Sequence, residues 1–315
     1  MSNKTEPMFT PHFPKKSIRL AQNSQEPIEM TFSSMEEAEW KLLNEIPNRY
    51  LFDALGKVLQ DPSSMGFPFD SLQKEETISP IVTSEDGLAR FIGVSNDIVQ
   101  LPPSMIVQYR LNGEVRVAGA ELEETRYYSL YPITVDGFKK ENSTLYYVWG
   151  NCDSGKTWMG SRMRAYELDS NGLHPAFLYE GENAQSLIRT DYFNFENEVS
   201  EAIHHETLTK EQCCHFLYLS DEMFEISRYA SVLARAAVRQ QLGLFWINEQ
   251  NEKKVVLNLQ YMIDELLDAT EKFGRNKDWD EYLRDVPGVL CHYYNGKGDA
   301  ENVKKYAAIA KRFKN

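Results

Sequence analysis

The sequence predicts an α+β protein, in which short N-terminal helices precede a central antiparallel β meander and a helical bundle follows it. Two observations predict this class. The spacing of apolar residues changes from a period near 3.6 to a period of 2 at about residue 78, and it returns to the helical period after about residue 196. Turn-forming dipeptides also divide the middle of the chain into short runs. The predicted parts are a flexible arm at 1–30, short helices at 31–75, a β module at 76–195 and a helical region at 196–315.

The N-terminal arm is polar and proline-rich, and its apolar residues follow no period. The first helix is predicted to follow Ser33 or Ser34, because Glu36 or Glu37 stands three residues further on and completes a capping box. A second helix follows, with an apolar stripe of Leu51, Leu55 and Val58. The two helices are expected to form an antiparallel pair.

The β module is predicted from runs of β-branched and aromatic residues joined by tight turns. Asp86-Gly87, Asn112-Gly113 and Asn171-Gly172 each divide two such runs, and dipeptides of this kind are strong hairpin signals. No segment between these runs is long enough for a crossover helix, so a parallel sheet is not expected. The pattern favours a meander with sandwich-like or propeller-like sheets.

The C-terminal region carries several signals for helix ends. Thr209, Ser220 and Asp299 are placed as N-caps, and Gly274 is placed as a C-cap. Residues 244–259 fit either a hairpin or the meeting point of two helices. A core-facing helical stripe is formed by Met223, Ile226, Ala230, Leu233 and Ala237.

Residues 58–195 resemble an uncharacterised group of bacterial β-rich proteins. The likeness rests on the stretch FPFDSL, on a Thr-Ser-x-Asp-Gly hairpin, and on a strand with two tyrosines before a glycine-rich turn. The resemblance implies a β meander, and it implies no activity because none is established for that group. Members of the group usually look exported. This chain begins without an export signal, and its helical region lies outside the likeness.

Composition excludes several classes of function. The formal net charge of −13 disfavours nucleic acid and anionic membranes as partners, because both require a dense basic surface. No stretch reaches the roughly 18 apolar residues of a membrane span. The four cysteines, Cys152, Cys213, Cys214 and Cys291, show no paired framework and are expected to be reduced. These features predict a soluble, cytoplasmic, acidic protein.

The sequence from Gly150 to Thr157 matches the phosphate-binding pattern G-x-x-x-x-G-K-T. In a working P-loop, Gly150 and Gly155 shape the loop, Lys156 contacts phosphate, Thr157 contacts magnesium, and a helix follows directly. Here the sequence after Thr157 reads as a β-strand with Gly160 in the would-be first turn of the helix. We therefore predict a glycine-rich turn between two antiparallel strands, and we keep ATP or GTP binding with Mg²⁺ as an alternative.

Two tryptophans, Trp149 and Trp158, flank this turn. Aromatic side chains beside a loop can stack on a sugar or a peptide, so they mark a candidate surface for a ligand or partner.

Metal-binding residue types cluster at His204, His205, Cys213, Cys214 and His215. Successive helix positions point about 100° apart, so adjacent cysteines rarely ligate one ion. We predict buried cysteines and no metal site.

These patterns favour a non-catalytic interaction or scaffolding protein without a cofactor. It is expected to bind a protein partner, or a second copy of itself, through loops of the β module, the C-terminal helices, or both. The alternatives are a nucleotide-binding or nucleotide-hydrolysing protein that uses Gly150 to Thr157, and a binder of small ligands or glycans that uses aromatic loop residues.

Overall fold

A computed structural model describes most of the chain, and the described ranges are 15–20, 28–94, 104–119, 129–153, 159–176, 184–204, 208–227 and 232–314. The chain divides into two compact units. The first contains residues 1–135, 151–159 and 170–173, and the second contains 136–150, 160–169 and 174–315.

The first unit opens with a two-stranded antiparallel sheet, formed by strands β1 (Lys16–Leu20) and β2 (Ile28–Phe32). Alternate side chains of these strands are buried in the core of this unit. The prediction of a flexible arm over residues 1–30 is therefore wrong for Lys16–Leu20 and for residues 28–30. The reason is that each strand carries too few apolar residues to be recognised without its partner.

Helices α1 (Met35–Asn44) and α2 (Asn48–Leu59) follow, as the sequence predicted. The hydroxyl of Ser34 accepts a hydrogen bond from the Glu37 amide at 3.2 Å, and the Glu37 carboxylate accepts one from the Ser33 amide at 2.8 Å. The capping prediction is confirmed, with the carboxylate reaching one residue further back than in the usual box. The stripe predicted for the second helix is confirmed as well, since its three side chains are at most 1% exposed.

A short 3₁₀ segment (Pro62–Gly66) and helix α3 (Asp70–Lys74) lead to a four-stranded sheet. Its strands are β3 (Val82–Thr83), β4 (Ala89–Val94), β5 (Ser104–Leu111) and β6 (Glu114–Ala118), and neighbouring strands pair in chain order. Asn112 and Gly113 both have positive φ, at 54° and 83°, as a type I′ hairpin turn requires. The hairpin predicted here is confirmed.

A second four-stranded sheet is formed by β7 (Ser129–Lys139), β8 (Thr144–Asp153), β9 (Met159–Asp169) and β10 (Gly172–Pro175). Its strand order is β10-β9-β8-β7, so each strand lies beside its neighbour in the sequence. This is the order that the predicted meander requires. The Asn171-Gly172 turn joins β9 to β10, again as predicted.

Six helices of the described chain complete the fold: α4 (Ala184–His204), α5 (Lys210–Ser227), α6 (Val232–Asn248), α7 (Glu252–Phe273), α8 (Lys277–Gly296) and α9 (Ala300–Arg312). The prediction that the β module continues to residue 195 is wrong, because α4 begins at Ala184. Its buried residues Ile188, Tyr192 and Val199 follow helical spacing, although aromatic residues in this stretch suggest a strand.

Most of the predicted helix ends are confirmed. Thr209 caps α5 by accepting from the Gln212 amide at 3.2 Å, Asp299 caps α9, and Gly274 ends α7 with a φ of 86°. Ser220 was predicted as an N-cap and is instead a buried residue within α5. Residues 244–259 contain the end of α6 and the start of α7, so the helical alternative is correct.

The six helices pack mainly as three consecutive pairs, α4 with α5, α6 with α7, and α8 with α9. Short connections within and between pairs give this arrangement, as in other proteins built from stacked helical hairpins. Residues of α6 to α9 share one apolar core, which includes Met262, Leu283 and Tyr306. None of the helices in the described ranges is long and apolar enough to cross a membrane. The mixed α+β class is confirmed.

Candidate functional site

A groove with a volume of about 790 Å³ lies between α4, α6 and α8, all in the second unit. Its apolar lining consists of Val199, Leu233, Ala234, Ala237, Tyr282 and Val286. Its polar lining consists of Glu196, Asn197, Gln240, Asp278, Glu281 and Asp285. The volume is within the usual range for sites that bind small molecules.

Helical spacing explains how α6 forms the groove. Leu233, Ala237 and Gln240 lie four and three residues apart, so they share one face of the helix. The small side chains of Ala234 and Ala237 leave space above this face. The prediction that Leu233 and Ala237 face the core is wrong, because both residues are only partly buried and line the groove.

The same helix faces continue beyond the groove with large apolar residues that remain exposed. On α4, Phe193 precedes Glu196 by three residues, and on α8, Val289 follows Asp285 by four. On α6, Leu244 follows Gln240 by four residues and Ile247 follows three later. These four side chains are 50–56% exposed. We call the groove lining together with Phe193, Leu244, Ile247 and Val289 the groove face.

The polar part of the groove is acidic. Glu196, Asp278, Glu281 and Asp285 contribute four carboxylates, and no lysine, arginine or histidine is among the described residues that line the groove. Arg284 lies next to it and bonds to Asp285 at 2.8 Å and to Glu281 at 3.5 Å. One guanidinium thus faces two of the four carboxylates, and the groove keeps a negative charge.

Behind the groove, the opposite face of α6 is buried and carries two arginines. Arg235 is 5% exposed and Arg239 is 2% exposed. Both donate to the carboxylate of Glu265 on α7, with the shortest distances at 2.7 and 2.6 Å. Burial opposes ionisation of Glu265, but the two guanidinium groups outweigh it and lower its pKa to about 2.

Arg235 also joins α6 to α5 and the sheet. Its guanidinium pairs with Asp221 at 2.8 Å and donates to the Ser220 hydroxyl. The second carboxylate oxygen of Asp221 accepts from the Met163 amide on β9 at 2.7 Å. The network therefore fixes the rotation of α6 about its axis, and with it the direction in which the groove face points.

A second charged cluster surrounds Asp136 on β7, which is 1% exposed. Its carboxylate oxygen lies 2.7 Å from the ammonium of Lys254 on α7 and 2.8 Å from that of Lys210 on α5. Burial lowers the pKa of Lys210, but Asp136 and Glu249 raise it by more, so its pKa lies above the ordinary value. Lys210 is thus held in its charged form, and the ion pairs of Lys210 and Lys254 with Asp136 tie both helices to the strand.

The residues predicted as metal-binding types lie in different environments. Cys213 and Cys214 are buried in α5, as the sequence predicted. Burial raises the pKa of the Cys213 thiol to about 12 and that of Cys214 well above its ordinary value, so both stay protonated at neutral pH. His215 lies 3.1 Å from the Tyr147 hydroxyl, and burial together with Lys140 lowers its pKa to about 4.

Of the four candidate phosphate-binding residues, Gly150 lies in β8, whereas Gly155, Lys156 and Thr157 lie outside the described residues, as does the flanking Trp158. Strand β9 begins at Met159 and is the neighbour of β8 in its sheet. A P-loop requires a helix at this place, with its N-terminus directed at the phosphates. The strand at 159–169 therefore gives the nucleotide alternative no support.

Trp149 is not part of a binding surface. It is 2% exposed, lies within β8 rather than in a loop, and packs edge-on against Trp246 with ring centroids 5.3 Å apart. The guanidinium of Arg239 lies over its ring at 5.0 Å. The prediction that Trp149 binds a ligand or partner is wrong, because the helical region covers this face of the strand. The sequence shows that position 149 is a tryptophan, but it does not show that helices pack over this side chain.

Comparisons of the chain with models of known protein families, with curated proteins and with solved structures found no match. Function is therefore inferred from the geometry of the described residues, above all from the groove face and the charged network behind it.

Proposed function

We propose that the protein is a non-catalytic interaction module, and that its groove face binds a segment of a protein partner. The observation that carries this proposal is the position of Phe193, Leu244, Ile247 and Val289, which extend the groove along the same three helix faces. Exposed apolar residues that stand singly are ordinary on protein surfaces. Apolar residues that continue a groove are typical of binding sites.

Covering the four exposed apolar side chains of the groove face would stabilise a complex. Complete burial of a leucine, isoleucine, valine or phenylalanine side chain contributes about 1.5–3 kcal/mol. These four side chains are already half-buried, so covering them would contribute roughly 1 kcal/mol each. The sum of about 4 kcal/mol corresponds to a thousandfold gain in affinity, before the costs of association are subtracted.

The charged network behind the groove also favours a binding function, because it holds the groove face in place. The charges of Arg235, Arg239 and Glu265 are held together on the inner side of α6 and α7, away from the groove. A binding surface that is fixed in advance loses less entropy on association than one that must be ordered. The described lining of the groove offers carboxylates and amides but no nucleophile beside a base, so a binding function is a better fit than catalysis.

We further propose a cytoplasmic location. The support is that Cys213, Cys214 and Cys291 are free thiols, as is usual for proteins of a reducing compartment.

The test is a peptide display selection against the whole protein. Selected peptides should bind the wild type and lose at least tenfold in affinity for a variant with Leu244→Asp and Ile247→Asp, because the aspartates place charge on the apolar surface. Trp40→Asp is the matched control, since Trp40 is 55% exposed but lies on α1 of the other unit. Circular dichroism would establish that both variants fold. Equal binding to the wild type and to the groove variant would refute the proposal.

A further inference from the structure

We infer that the partner segment is a basic amphipathic helix, with lysine or arginine flanking an apolar stripe. This inference rests on the proposed function and names the chemistry of the partner. It is carried by the combination of an apolar floor with carboxylates contributed by two of the three helices, Glu196 from α4 and Asp278, Glu281 and Asp285 from α8.

The distribution of charge across the groove favours a cationic partner. The floor, formed by α6, contributes the apolar residues Leu233, Ala234 and Ala237 and the uncharged Gln240. The carboxylates belong to the helices on either side. A segment in the groove would therefore place its apolar residues on α6 and its flanking residues next to carboxylates, and an acidic segment would be repelled.

The dimensions agree with a helix of about four turns. From Leu233 to Ile247, the groove face of α6 spans 15 residues, and the 14 steps between the two ends correspond to roughly 21 Å of helix. The small side chains of Ala234 and Ala237 allow a partner backbone to approach closely. An amphipathic helix binds in such a groove through apolar residues three and four positions apart.

The expected gain from charge is moderate. An exposed ion pair improves affinity by roughly 1.4- to 5-fold, so three such pairs would give about tenfold. Because Asp278, Glu281 and Asp285 are exposed to solvent and Glu196 is only partly buried, salt should weaken their contribution. The association rate should be affected most, since complementary charge acts chiefly on the encounter of the partners.

The experiment compares three fluorescent peptides of about 16 residues, enough for four helical turns. All carry the same leucine stripe, and the flanking positions carry lysine, glutamine or glutamate. Fluorescence anisotropy with the whole protein, at low and at high salt, should show that the lysine peptide binds about tenfold tighter than the glutamine peptide at low salt. The advantage should shrink at high salt, and the glutamate peptide should bind most weakly.

Two variants connect the result to the groove. Glu196→Gln with Asp278→Asn should weaken binding of the lysine peptide at least threefold and should weaken binding of the glutamine peptide by a smaller factor. The control, Glu271→Gln with Glu301→Gln, removes two exposed carboxylates from α7 and α9. It should change the affinity for neither the lysine peptide nor the glutamine peptide.

The outcomes separate the inference from the proposed function. The inference of a basic partner would be overturned if the lysine and glutamine peptides bound equally, or if the display-selected peptides contained no basic residues. Neither result would contradict the proposal that the groove face binds a partner. If the groove variant with Leu244→Asp and Ile247→Asp binds every peptide as the wild type does, both the proposed function and the inference fail.

Discussion

Replacing Glu265 with glutamine tests the charged network that supports the groove. The Glu265 carboxylate accepts from both arginines of α6, at 2.7 and 3.4 Å from Arg235 and at 2.6 and 3.0 Å from Arg239. Glutamine has nearly the same shape but carries no charge, and its amide group would direct a donor at one of the guanidinium groups. The substitution therefore keeps the shape of the side chain, removes its charge and replaces one hydrogen-bond acceptor with a donor.

The size of the effect follows from the pKa of Glu265. A pKa of about 2, compared with the ordinary value of 4.5, corresponds to about 3 kcal/mol of free energy of unfolding at neutral pH. Removal of one partner from a buried ion pair typically costs about 3–5 kcal/mol. Since the Glu265 side chain keeps 22% exposure, we expect a loss near the lower end of this range.

The assay is urea denaturation of the wild type and of Glu265→Gln at several pH values. The pKa of Glu265 is lower in the folded state, so its contribution is complete above about pH 4.5 and is lost as the pH falls towards 2. The two proteins should differ by about 3 kcal/mol at pH 7 and progressively less in acid. Glu271→Gln, an exposed carboxylate on the same helix, serves as the control. A difference below about 1 kcal/mol at pH 7, or one that does not change with pH, would refute the network's role.

Three further predictions concern other parts of the chain. The pKa of His215 is lowered to about 4, so the free energy of unfolding of the wild type should fall as the pH falls from about 6.5 to 4. In urea titrations over this range, the free energy of unfolding of His215→Gln should depend less on pH, by the equivalent of about one proton bound on unfolding. Thr209→Ala removes the N-cap of α5 and should cost about 1 kcal/mol, seen as a lower Tm. Gly93→Ala should cost about 1–3 kcal/mol in chemical denaturation, because the new Cβ would lie 3.1 Å from Pro132 Cδ. An unchanged pH profile, Tm or denaturation midpoint, respectively, would contradict each prediction.

Features that depend on a few adjacent residues could be predicted from the sequence. The Asn112-Gly113 turn, the Thr209 cap and the Gly274 helix end were placed correctly, because each is determined by local backbone preference. The same local reasoning failed at Ser220. A serine can cap a helix or lie inside one, and here its hydroxyl accepts from buried Arg235, which is 15 residues away in the sequence.

Features that depend on distant residues could not be predicted in this way. The pairing of β1 with β2 requires knowledge of both strands, since neither has a strong pattern alone. The groove was hidden for a similar reason. Leu233 and Ala237 have the spacing of a core stripe, and only the packing of α4 and α8 beside α6 leaves that face uncovered. With 47 acidic residues in the chain, the sequence also gives no means of selecting Asp136 or Glu265 as buried partners.

The cluster around Asp136 has a consequence for synthesis on the ribosome. Lys254 is 118 positions later in the chain than Asp136, and Trp246, whose indole nitrogen lies 3.4 Å from the Asp136 carboxylate, is 110 positions later. While the chain is being translated, β7 emerges long before these partners exist. Burial of its carboxylate without them would be costly, so the strand should stay hydrated until α7 has left the exit tunnel. Of the two ammonium groups that pair with Asp136, Lys210 is made first, so the complete set of its partners exists only after most of the chain has been synthesised.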